Sequence, residues 1–147
     1  MQSVWLKAAR NAAVLLLGSI GAYLLGSLTI SWLAFQVSRA VRHLEPAWLQ
    51  ALLGVLLLDI GKLIGLLPAA WVIRRAVTLS PWPAAAVLVV LCFMLELAMM
   101  AVIGQAGWVL SEPTLMATRA ATGAALVWPV ARVLGSTGRA DSGRRKI

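Results

Sequence analysis

The hydrophobic pattern of this chain is a series of long, nearly charge-free apolar runs separated by short polar breaks. After Lys7 and Arg10 comes a first run, residues 11–37, with no formal charge over 27 positions. About 20 apolar residues cross the hydrocarbon core of a bilayer, so this run predicts a transmembrane helix. It exceeds the ~7–15-residue apolar region of a signal peptide and has no clean Ala-x-Ala exit, so it reads as a retained span. Residues 38–45 form a polar break. Pro46 then suits the first position of a second helix, 46–73, which stops at Arg74-Arg75. Pro68, inside it, predicts a kink near the inner end.

Ser80-Pro81-Trp82-Pro83 opens a third helix, 82–110, with Ser80 as its N-cap. Only Ser111-Glu112-Pro113 separates it from a fourth, 113–134, so the two form a tight hairpin. Pro129 predicts a kink in the fourth helix and Gly135 its stop. The expected fold is all-α: a polytopic membrane protein with a four-transmembrane-helix bundle over residues 1–135. The Gly/Ser/Arg-rich remainder, 136–147, reads as a disordered basic cytoplasmic tail.

Composition agrees with the pattern. Apolar residues make up 61% of the chain and charged residues 12%, against about 45–50% and 25% in soluble domains. The net charge of +8 does not point to nucleic acid, because the basic residues flank apolar runs rather than line one face. With the N-terminus inside, the cytoplasmic side carries Lys7, Arg10, Arg74, Arg75, Arg132, Arg139, Arg144, Arg145 and Lys146, and the other side only Arg39 and Arg42. That bias sets the expected orientation in a bacterial-type cytoplasmic (inner) membrane, with both termini cytoplasmic. It makes Arg74, Arg75, Arg144, Arg145 and Lys146 candidate contacts for anionic lipid headgroups. Tryptophans fall into two belts: Trp5, Trp71, Trp82 and Trp128 inward, Trp32, Trp48 and Trp108 outward.

Loops this short cannot build a soluble active site, so candidate chemistry lies within the spans. Four ionisable residues occur there: Asp59 and Lys62 in the second helix, Glu96 in the third and Arg119 in the fourth. Each costs about 2.5–3.5 kcal/mol on insertion scales, so each should face protein or water. At about 1.5 Å of rise per residue, Asp59, Lys62 and Glu96 lie roughly 20–24 Å from the outer end, at a common level near the midplane. Arg119 lies only about 9 Å from that end, a gap of about 12 Å from Glu96. It is expected to snorkel outward or line an outer vestibule. Two carboxylates then share one ammonium, and the odd negative charge should take up a proton or a cation. The competing expectation is a buried ionic staple that fixes helix register.

Small residues mark close helix approaches: Gly61 and Gly65 in a GxxxG on the second helix, and Gly18, Ala22 and Gly26 at four-residue steps on the first. Cys92 is a single cysteine in an apolar run and His43 a single histidine in a loop, so no disulfide, metal site or haem ligation is expected. GxSxG, HExxH and P-loop motifs are absent, and no cofactor is expected. Three functions remain. The first is an accessory or scaffold subunit of a larger membrane complex, partnered by other membrane subunits or by itself. The second is a homo-oligomeric proton- or cation-coupled transporter or channel. The third is a membrane-embedded lipid-handling enzyme.

Overall fold

The structure is a computed structural model and describes residues 2–43, 45–104, 107 and 112–136. Among these, all regular structure is helical. The helices are α1 (Gln2–Val41), α2 (Ala47–Gly61), α3 (Leu63–Ile73), α4 (Pro81–Val102) and α5 (Pro113–Gly135). Three helical stretches are long and apolar enough to cross a membrane: Val4–Thr29, Trp48–Ile73 across the α2–α3 junction, and Pro81–Val102. α5 is 23 residues long but carries Arg119 and Arg132, and is less apolar.

Several boundaries differ from the sequence expectation. α1 covers 40 residues rather than 27, about 60 Å at the helical rise and roughly twice the hydrocarbon thickness. The expected second helix is interrupted at Lys62, six residues before the proline. Lys62 N–H donates to Asp59 O at 3.1 Å, and Gly65 N–H donates to Lys62 O at 3.0 Å. These i→i−3 bonds tighten the turn and separate α2 from α3. Ser80 does precede α4, but its side chain makes no capping bond, and Pro81 is already helical.

The most consequential difference is the end of α4. It stops at Val102, not at residue 110: Ile103 leaves helical geometry and Gly104 takes φ +74°. A left-handed residue just past a helix is the usual glycine stop, since Gly has no Cβ to clash there. The tail at 137–147, with Arg139, Arg144, Arg145 and Lys146, lies outside the described residues, as does Trp108.

Cross-chain contacts fix the helix directions. Pro81 meets Gly135 and Glu96 meets Arg119, so α4 and α5 are antiparallel. α1 runs antiparallel to α2–α3: Gly18 faces Ile73 and Ala22 faces Gly65. At one end Asn11 locks α1 to the α3–α4 loop, donating to Thr78 Oγ1 at 2.8 Å and accepting from Thr78 N–H at 3.1 Å. The apolar core fills the half of the bundle nearest that lock, around Leu66, Ala70, Ala84, Leu88, Cys92 and Val130. The buried charges sit beyond it.

Candidate functional site

The interrupted turn at Lys62 carries the centre of the site. Asp59 and Lys62 are three residues apart, so their side chains project on one face of the helix. Lys62 Nζ donates to Asp59 Oδ1. It also lies 2.8 Å from Glu96 Oε2 of α4 and 3.8 Å from the centre of the Phe93 ring. The second Asp59 oxygen, Oδ2, accepts a 2.7 Å hydrogen bond from Thr122 of α5. Glu96 Oε1 lies 3.4 Å from Arg119 Nη2. Glu96 is thus a bridge, with one cation on each oxygen. The chain Asp59–Lys62–Glu96–Arg119 runs across α2, α4 and α5.

Burial is deepest at the Asp59–Lys62 end of that chain. Asp59 is 0% and Lys62 4% exposed, while Arg119 reaches 11% and Glu96 17%. An apolar surrounding strengthens every charge interaction within the cluster and makes an unpaired member costly. Asp59 meets that demand fully, with a donor on each oxygen. Two atoms further out do not: Glu96 Oε2 has the Lys62 ammonium close by but no well-aligned hydrogen bond, and Arg119 Nε is buried without a hydrogen-bond partner.

This arrangement corrects two expectations. Arg119 neither snorkels outward nor stands 12 Å from Glu96; it pairs with Glu96. The reason is the early stop of α4. Counted from Val102, Glu96 is six residues from the helix end, about 9 Å, the same depth as Arg119 counted from Pro113. The second correction concerns charge. With Arg119 included the cluster holds two carboxylates and two cations, so no negative charge is left over. Its height changes too. Glu96 is fifteen residues from Pro81, about 22 Å, within a helix of 22 residues, or about 33 Å. The cluster therefore lies two-thirds of the way along the helix, not at its middle.

The glycines divide by role. A Cβ on Gly65 would fall 2.1 Å from Ala22 O and 2.9 Å from Gly26 N, so α1 and α3 touch backbone to backbone. Gly18 accepts the Ile73 side chain, 3.0 Å from where its Cβ would stand. Gly61 is buried beside the lysine break. Toward the loop end, Arg74 donates to Ser136 Oγ at 3.1 Å and stacks on Trp71 at 4.8 Å, while Arg75 is exposed. Trp5, Trp71, Trp82 and Trp128 are exposed at that end, and Trp32 and Trp48 at the other.

Two openings reach the cluster from the sides. Between α1 and α4 a crevice of about 230 Å³ is lined by Tyr23, Ser27, Lys62, Glu96 and Met100. Between α4 and α5 a groove of about 430 Å³ is lined by apolar residues such as Val90, Phe93 and Leu97, by the small residues Ala120 and Gly123, and by Arg119. Among the described residues no group of three or more His, Cys, Asp or Glu side chains is placed to hold a metal ion. Sequence reasoning did not assign Thr122 to Asp59 or Asn11 to Thr78. The first had a signal, since Thr118 and Thr122 are a four-residue step facing the same way on a span that carries Arg119. Comparison of the chain with protein-family models, curated proteins and solved structures gave no match.

Proposed function

We propose that this chain is a four-span membrane protein that serves as an accessory or scaffold subunit of a larger membrane complex, with the Asp59–Lys62–Glu96–Arg119 cluster as its internal lock. What carries this reading is the closure of the cluster. All four intramembrane charges are spent on one another within one chain, and the sum is zero. Such a cluster fixes the register of three helices. It offers no spare carboxylate for a coupled proton or cation, which a transporter of the kind weighed above would use. Among the described residues many large apolar side chains, including Leu17, Leu24, Leu28, Val72, Val90 and Met94, are turned outward. A bundle with its charges used inside acts through its perimeter, by packing against other helices.

α5 is the fourth crossing in this reading. Its 23 residues span about 35 Å against a hydrocarbon core of about 30 Å, and its antiparallel pairing with α4 returns the chain to the side of the α3–α4 loop. That side, with Arg74, Arg75 and Arg132, is the cytoplasmic one of an inner membrane by the positive-inside bias, and its arginines meet anionic lipid. The test is mild detergent extraction from the native membrane followed by size separation and crosslinking. Co-migration with a different, larger membrane chain in a fixed ratio is the expected result. Recovery only as an isolated monomer or a closed homo-oligomer would overturn it.

A further inference from the structure

We infer that the groove between α4 and α5 is a binding site for one glycerophospholipid, whose tail lies along Phe93, Val90 and Gly123 and whose ester carbonyl accepts a hydrogen bond from Arg119 Nε. This site is independent of the accessory role proposed above. Three observations lead to it.

The first is the orphan donor. Arg119 lines the groove, and its Nε–H is buried with no hydrogen-bond partner, so an occupant reaches it by displacing part of the groove wall, while Nη2 is committed to Glu96. A buried donor left unmade costs about 1–3 kcal/mol, so the site favours an occupant that brings an acceptor. The second is size. From Arg119 to Val127 the groove runs eight residues, about 12 Å. A helix is a rigid cylinder of about 10 Å diameter, and the groove is an open slot of about 430 Å³. A flexible acyl chain lies inside such a groove; a helix only rests on its rim. The third is acceptor chemistry. Carbonyls in the middle of a neighbouring transmembrane helix already accept that helix's own bonds and lie beneath its side chains, so they serve Nε poorly. The ester carbonyls of a glycerophospholipid are uncommitted and are its deepest polar atoms. Arg119 lies about 9 Å inward from the start of α5, nearer that leaflet than the other, so the tail extends inward toward Val127. None of the groove-lining residues is a nucleophile or a carboxylate, so the site holds a lipid without transforming it.

The test uses the full chain, delipidated in detergent and titrated with dioleoyl phosphatidylglycerol, with bound lipid counted by native mass spectrometry. One adduct per chain is expected. The dialkyl-ether analogue with the same headgroup lacks the carbonyls and should bind about tenfold more weakly, the loss of one hydrogen bond to a charged donor. That preference should vanish in Arg119→Lys, which keeps a cation for Glu96 but has no Nε–H. Ala120→Phe, at an exposed position on the groove wall and outside the charge cluster, should lose the adduct while melting like the parent chain. Equal retention of ester and ether lipid by the parent chain overturns the Arg119 contact. Undiminished binding by Ala120→Phe overturns the groove, as does a dimer that forms there in place of a lipid adduct.

Discussion

At the residue scale the protein turns on how four charges are shared. Asp59 has a donor on each oxygen and no access to solvent; Glu96 carries two cations at once. Glu96→Gln therefore strands two cations against one carboxylate. Removing one partner of a buried pair costs about 3–5 kcal/mol, because the remaining charge has nowhere to go. We expect a corresponding fall in the unfolding midpoint in micelles. Adding Arg119→Gln restores neutrality and should recover a large part of the loss. If the double variant is as unstable as the two single losses summed, the two side chains do not act on one another. Lys62 is the least replaceable member, since it touches Asp59, Glu96 and the Phe93 ring together.

At the element scale, stability depends on where backbones touch. Gly65 stands where any Cβ would enter the Ala22 carbonyl, at 2.1 Å, and backbone cannot yield as a flexible side chain can. Gly65→Ala should push α1 away from α3 and lower the midpoint well beyond the effect of an ordinary surface change. Gly123 is also helical and also on a helix–helix face, yet its added Cβ would meet Phe93 ring atoms at 3.6 and 3.7 Å, an ordinary contact. Gly123→Ala should be neutral or stabilising by up to about 1 kcal/mol, the helix-propensity gain. Thermal melts of the two variants side by side check this; equal losses would mean that the close α1–α3 approach does not hold. The Asn11–Thr78 lock works at the same scale. It ties the start of the apolar span on α1 to the α3–α4 loop, so that register is held at both ends of the core.

For the whole molecule the question is how many times the chain crosses and in which sense. α1 and α2 extend past the charge cluster further than α4 and α5. From Asp59 to Ala47 is twelve residues, about 18 Å, and from Glu96 to Val102 about 9 Å. The α1–α2 hairpin, with exposed Trp32, Phe35 and Trp48, thus reaches beyond the start of α5. Cysteine accessibility in intact cells tests the topology on a Cys92→Ala background. Leu79→Cys and Ser136→Cys should react only with reagents that enter the cytoplasm, and Arg42→Cys and Gly107→Cys only with the outer face. Labelling of Ser136→Cys and Gly107→Cys from one side would remove α5 as a crossing.

The sequence by itself determined the helical class, the presence of runs long and apolar enough to cross a membrane, and which four charged side chains interrupt the helices. Each of these is written locally, as a run of apolar residues or a charge that interrupts one. Helix 113–134 was likewise legible because Pro113 and Gly135 mark both ends. What only the tertiary structure decided was which residues share a height. That depends on where each helix stops, and errors accumulate along it: ending α4 eight residues late shifts Glu96 by about 12 Å. This one shift separated Arg119 from its partner and left a charge unbalanced. Gly104 was the available signal, and a 29-residue span, about 43 Å, was already too long for a core of about 30 Å. Gly65 and the Gly18, Ala22 and Gly26 steps did mark faces fit for close approach, but which helix each face meets, and the groove beside Arg119, had no comparable signal. They arise from the relative placement of helices far apart in the chain, which periodicity within one helix does not encode.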